Sequence, residues 1–204
     1  MLTEHVEHNE QKAPVSPTIP ATPTIVIVGV GNEYRRDDAA GLLVARLLKK
    51  QLAASPPPQE YFPTPSPDLG VTEVGVVECT GGNLELMDAW AGARTVVLVD
   101  AMSSGADPGT VFRFEAHKKP IPACLFHYST HDFNIADTIE LARLLGKLPP
   151  KLVIFGIEGA DFGHGEGLSE DMAAAIERVA HSTLDYVRDC VKSDAQTAVP
   201  QEVS

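Results

Sequence analysis

The sequence predicts a three-layer α/β domain with a mostly parallel sheet, and three observations lead there. Ile25–Val28, Thr95–Val99 and Leu152–Ile157 are short runs rich in β-branched residues with no clear polar face, as strands covered on both sides require. Segments with apolar residues at helical spacing alternate with these runs. Gly109–Glu115 instead alternates Val111, Arg113 and Glu115 with Phe112 and Phe114, and is reached without an intervening helix. It is expected to run antiparallel, at or near an edge.

The 204 residues suit a single domain over 24–192, with tails at 1–23 and 193–204. The first 23 residues are polar and Pro-rich, with too few apolar side chains to offset the entropy of ordering. His5 and His8 lie there among acids and read as tail residues. After Ile25–Val28 comes the turn Gly29-Val30-Gly31-Asn32, then a helix from Asp38 to Leu52. Its inward stripe is Leu42, Leu43, Leu47 and Leu48, and Lys49-Lys50 at its end suits the helix dipole. The stretch 53–70 holds six prolines and is expected to be an extended loop.

Val74–Val77 is the second strand and Leu84–Ala91 a short helix, with Trp90 as a core anchor. Asp100 closes the third strand. Ser129, with Asp132 three residues on, resembles a capping box before the helix Ile135–Leu145, which Gly146 and Pro149-Pro150 terminate. After the Leu152–Ile157 strand, Glu158–Gly167 is a Gly-rich acidic loop. Ser169 caps the last helix, whose inward stripe is Met172, Ile176, Val179 and Ala180.

A net charge of −12 argues against nucleic acid and against an anionic membrane surface. No apolar run reaches the roughly 18 residues that span a bilayer. The N-terminus has neither a hydrophobic core segment nor a twin-arginine pair. Cys79, Cys124 and Cys190 are odd in number and widely spaced, so a reducing cytoplasm is the expected compartment.

The glycine turn imitates a dinucleotide fingerprint but fails at its third glycine, where Tyr34 stands. Asp37 and Asp38 then occupy the helix mouth, where they would repel a pyrophosphate. Glu78, which could mimic the ribose-binding acid, lies well beyond the usual offset of ~20 residues. One of the two aspartates is explained as a helix-start acid, a role that falls to Asp37. Asp38 can then join Asp100 at the sheet crest, provided the third strand lies beside the first and opposite the second. His131, at the start of the following helix, would add an imidazole. Two carboxylates and an imidazole suit a borderline divalent ion.

The plainer alternative makes Asp100 a turn cap and His131 a first-turn residue. His164 is a rival donor in a loop; His127 reads as packing, and His117 and His181 as surface residues. No nucleophile elbow or H-E-x-x-H motif is present, and Cys79 has no evident partner histidine. Hydrolysis, if it occurs, needs water activated by carboxylate or metal.

Gly29-Val30-Gly31-Asn32, Asp37-Asp38-Ala39-Ala40-Gly41, Val97-Leu98-Val99-Asp100-Ala101 and Ser129-Thr130-His131 resemble, in this order, the [NiFe]-hydrogenase maturation endopeptidases. Phe155-Gly156-Ile157-Glu158-Gly159 and Gly167-Leu168-Ser169 fit the same pattern, so the resemblance spans about 24–190. It implies a five-stranded αβα sandwich of the phosphorylase/hydrolase-like kind, and an endopeptidase that trims the C-terminal extension of a hydrogenase large-subunit precursor. It also implies that Asp38, Asp100 and His131 recognise nickel carried by that precursor, with Asp38 and Asp100 as the catalytic candidates and no organic cofactor. Glu78–Gly82 departs from the family's Asp-Gly-Gly-Thr form. A monomer that meets its substrate transiently is expected. Two other readings stay open: a nickel-binding assembly chaperone that does not cut, and a nucleotide-cofactor oxidoreductase.

Overall fold

The structure, a computed structural model, describes residues 25–54, 74–80, 82–126 and 135–197, with side chains through 194. Its elements are β1 (Ile25–Val30), a 3-10 turn (Arg36–Ala39), α1 (Ala40–Ala54), β2 (Val74–Cys79), α2 (Asn83–Ala89), β3 (Thr95–Met102) and β4 (Val111–Glu115). A second 3-10 turn (Ala123–Phe126), α3 (Ile135–Leu144), β5 (Lys151–Glu158) and α4 (Glu170–Thr197) complete them.

The five strands are ordered β2-β1-β3-β5-β4. β1 pairs parallel with β2 and β3, β3 pairs parallel with β5, and β4 runs antiparallel to β5 at the edge. Both expectations for β4 are borne out, as is the placement of β3 beside β1 and opposite β2. The chain leaves β1 toward β2 on one side, while β3 lies on the other. That divergence is the switch point at which open α/β sheets place their ligands.

Strand alternation builds the two outer layers. Ile25, Ile27, Val97, Val99, Val153 and Phe155 face α1 and α4, packing on Val44, Leu48, Met172 and Val179. Val26, Val28, Val96, Leu98, Leu152 and Ile154 face α2 and α3, packing on Leu86, Trp90, Ile135 and Ile139. Trp90 is the buried anchor expected of it.

The strands outrun the apolar runs that announced them. β3 continues through Asp100 to Met102, and β5 through Glu158, because the ladder Asp100↔Gly156 to Met102↔Glu158 closes beyond the hydrophobic segment. Charged residues mark strand ends only when solvent awaits them; both acids are buried here. At the other terminus, α4 runs through 193–197, which the sequence assigned to the tail. Val187 and Cys190 still anchor the helix to the core, and extending an established helix costs little. Asp194, 4.0 Å from Arg94, adds a weak contact there. The Pro-rich segment beyond Ala54, Ser129, Asp132, His127 and His131 lie outside the described residues.

Candidate active site

Close backbone approach fixes how α1 meets the sheet. A Cβ on Gly41 would collide with the carbonyl oxygens of Val30 and Val99, and one on Gly29 with the carbonyl of Gly41. The helix start can therefore lie directly on β1 and β3. The helix–strand packing that the third fingerprint glycine serves elsewhere is supplied here from the helix side by Gly41. At Gly31, whose φ is +154°, a side chain would meet the carbonyl of Asp38. Asn32 donates its N–H to that same carbonyl at 3.2 Å, and the Asp38 N–H donates to Arg35 at 3.0 Å. The turn thus grips the backbone of Asp38 from both sides.

Asp38 and Asp100 are each 2% exposed. Asp38 Oδ2 and Asp100 Oδ1 are buried with no hydrogen-bond partner among the described residues. Buried polar atoms are ordinarily satisfied, so an orphaned oxygen on each of two neighbouring acids calls for an explanation. Burial raises the pKa of Asp38 to about 6, with Arg35 pulling it partly back. Asp100 is pushed well above the usual carboxylate range, first by burial and then by the charge of Asp38, against a hydrogen bond from the Ala101 N–H. Two desolvated carboxyls in electrostatic contact either retain a proton or accept a cation.

The fold therefore joins two of the three residues singled out in the sequence. His131 lies outside the described residues, and among those described no cluster of three or more His, Cys, Asp or Glu side chains is placed to hold a metal ion. His164 is exposed in the loop after β5, and His181 is exposed on α4. His117, read as a surface residue, is half-buried with its Nδ1 2.9 Å from the Leu152 carbonyl oxygen. Cys79 is buried at the end of β2. Glu78 is held by Arg46 at 2.7 Å and Lys49 at 2.9 Å, tying α1 to β2.

Two acids have larger roles than their sequence positions suggested. Asp37 is fully buried, and its carboxylate accepts the N–H groups of Ala160, Asp161 and Ser169 and the Ser169 hydroxyl, so it is more than a dipole acid. Glu158 accepts from the N–H groups of Ser104 and Gly105 and the Ser104 hydroxyl, fixing the loop after β3. The only signal for Glu158 in the sequence was an acid ending an apolar strand. Beside the 3-10 turn, an open cleft of about 330 Å³ is lined by Tyr34, Ala39, Leu43 and Leu168, with Glu33 and Glu166 among its acids.

The αβα sandwich thus carries a buried acidic pair at the switch point where open α/β sheets place their ligands. The chain belongs to the hydrogenase maturation protease family, whose sequence profile matches residues 61–186. It is 25% identical over 180 residues to the hydrogenase 2 maturation protease of Escherichia coli K12, covering 87% of this chain and 96% of that protein. Among solved structures, the HycI maturation protease of Thermococcus kodakarensis aligns with a TM-score of 0.56 at 26% identity, over 83% of this chain and 92% of that one. The HybD maturating endopeptidase of E. coli gives a TM-score of 0.58 at 22% identity, over 81% and 93%. The protein is accordingly an endopeptidase by family, and the expected sandwich with one antiparallel strand is the observed one.

Proposed function

We propose that this endopeptidase removes the C-terminal extension of a [NiFe]-hydrogenase large-subunit precursor once nickel has been inserted. The nickel arrives with the substrate and is recognised by Asp38, Asp100 and His131. The observation that carries this reading is the pair of buried, unpartnered carboxylate oxygens on Asp38 and Asp100 at the switch point. Arg35 offsets the desolvation of Asp38 only in part, and a metal ion on the substrate would supply a positive partner while displacing the retained proton. Oxygen and imidazole donors suit nickel. His131 comes to this set from the family resemblance. The open cleft beside the 3-10 turn gives the substrate chain a place to lie against the enzyme.

In this reading the metal orients the scissile peptide next to the pair, and a water attacks its carbonyl. No organic cofactor takes part. The enzyme works as a cytoplasmic monomer. Among the described residues no helix is long and apolar enough to cross a membrane.

The test compares nickel-loaded and metal-free precursor, each incubated with the wild-type protein and with Asp38→Asn, with the shortened product followed by gel mobility. Cleavage only of the loaded precursor, and only by the wild type, is expected. Equal cleavage of the metal-free precursor, or full processing by Asp38→Asn, refutes the reading. Binding of the precursor without a shortened product identifies an assembly chaperone instead.

A further inference from the structure

Asp38 Oδ2 has no hydrogen-bond partner among the described residues, so the placement of that buried carboxyl rests on packing and on the backbone that carries it. That backbone is a single 3-10 turn entered through Arg36, whose φ of 47° lies in the left-handed region. A non-glycine residue there is strained and persists only where its surroundings enforce it. Beyond the turn's own hydrogen bonds through Asn32 and Arg35, the contacts that hold it come from the loop between β5 and α4.

The loop is fastened to the turn residue by residue. Gly165 donates its N–H to Tyr34 at 2.9 Å and accepts the Arg36 N–H at 3.0 Å. The Arg35 guanidinium donates to the Phe162 carbonyl at 2.9 and 3.2 Å, and the Asp37 N–H donates to the Asp161 carbonyl at 3.1 Å. At the centre is the Asp37 carboxylate. Its Oδ2 accepts from Ala160 N–H (2.8 Å), Asp161 N–H (3.0 Å) and the Ser169 hydroxyl (2.9 Å), and its Oδ1 from Ser169 N–H (2.7 Å). Ser169 also caps α4, so the same carboxylate ties the helix start to the turn. With its acceptor sites occupied by backbone and hydroxyl donors, Asp37 is not available to substrate.

We propose that Asp37 is a positioning residue, whose carboxylate clamps the 160–169 loop onto the 3-10 turn and so fixes where the Asp38 carboxyl sits relative to Asp100. This rests on the reading of Asp38 as a working residue of the peptidase site. Asp37→Asn replaces one acceptor oxygen by an amide whose N–H groups oppose those of Ala160, Asp161 or Ser169. The turn then loses its clamp while Asp38 itself is chemically unchanged.

The experiment measures kcat and KM for nickel-loaded precursor, well below each variant's melting temperature. Asp37→Asn is expected to lose about 10- to 100-fold in kcat, the scale of a small misplacement of a reacting group, with KM held within about twofold. Val179→Ala, a cavity in the α4 core remote from the loop, serves as a control of lowered stability and keeps kcat within about twofold of wild type. Equal kcat losses in the two variants at matched stability would make Asp37 merely structural and overturn the proposal, as would wild-type kcat in folded Asp37→Asn. If Asp37→Asn does not fold, Ser169→Ala removes one hydroxyl donor and leaves Asp37 in place. A kcat fall of about threefold is then expected, and an unchanged kcat overturns the clamp. Asp38→Asn, assayed alongside, separates the two levels. Full activity there defeats the site itself, whereas an inactive Asp38→Asn beside a fully active Asp37→Asn defeats the positioning role alone.

Discussion

Asp38, in the turn after β1, and Asp100, within the last residues of β3, are both desolvated, and the charge of Asp38 helps to push the Asp100 carboxyl upward. Neither acid has a cation against its buried, unpartnered oxygen among the described residues. Burying the pair in this way costs stability wherever the carboxyls are ionised, and the consequences are measurable.

Stability should rise when Asp38 loses its charge. A carboxyl whose folded pKa is about 6, against an ordinary value of 3.8, takes up a proton on folding. Its favourable contribution is complete below about pH 4 and is lost as the pH rises through 6. At pH 8 the ionised form is therefore a burden of about 1–3 kcal/mol, since each tenfold change in proton affinity corresponds to ~1.4 kcal/mol. Urea denaturation of metal-free Asp38→Asn is expected to show higher stability than wild type at pH 8, and a gap that closes by pH 4. Lower stability of the variant at pH 8 contradicts this account of the pair.

The raised Asp38 pKa also sets an acid limit on activity. In the proposed function the pair meets the metal with both carboxyls ionised, and kcat/KM reports the groups of the free enzyme. Processing of nickel-loaded precursor should fall on the acid side with an apparent pKa no lower than about 6, the value for Asp38. Ordinary exposed carboxylates would place that limb near 4. A kcat/KM profile flat from pH 7 down to 5 excludes Asp38 as the controlling group.

Much of this fold is legible in the chain because strand and helix periods are local. Ile25–Val28, Thr95–Val99 and Leu152–Ile157 announce a covered sheet, and the missing helix before Val111–Glu115 announces its antiparallel edge. Asp38 and Asp100 are legible as a pair once β3 is placed beside β1. What the sequence hides is long-range. Nothing near Asp37 reveals that its donors lie more than a hundred residues away at Ala160, Asp161 and Ser169. Glu158 and Asp100 look like strand ends because a charged residue reads as exposed, and burial by partners in other segments carries no local signal. The left-handed Arg36 is equally silent, since its conformation is imposed by Gly165.

Gly41 tests whether close approach of α1 places the site. Its added methyl would meet two carbonyl oxygens, those of Val30 and Val99, and both belong to central strands that cannot swing aside. Gly41→Ala therefore forces α1 outward, at or above the roughly 1–3 kcal/mol typical of overpacking. Alanine is otherwise the better helix former of the two, so a net loss isolates the steric effect. Equilibrium denaturation should show that loss, with precursor processing impaired in the folded fraction. A Gly41→Ala protein at least as stable as wild type disproves the contact.

Glu158→Gln should cost stability for the opposite reason to Asp38→Asn. Glu158 is 2% exposed, like Asp38, but its two oxygens are saturated by Ser104 N–H at 2.8 and 2.9 Å, Ser104 Oγ at 2.8 Å and Gly105 N–H at 2.8 Å. An amide keeps the shape and turns one acceptor into a donor facing backbone N–H groups. Hydrogen bonds to a charged acceptor contribute about 1.5–3 kcal/mol, and a donor left opposite a donor costs a similar amount. A loss of about 2–3 kcal/mol in urea denaturation at pH 7 is expected. The two buried acids thus make opposed predictions at neutral pH: neutralising the unpartnered one stabilises the fold, and neutralising the satisfied one weakens it. Changes of the same sign in Asp38→Asn and Glu158→Gln would show that unmet hydrogen bonding is not what sets the Asp38–Asp100 pair apart.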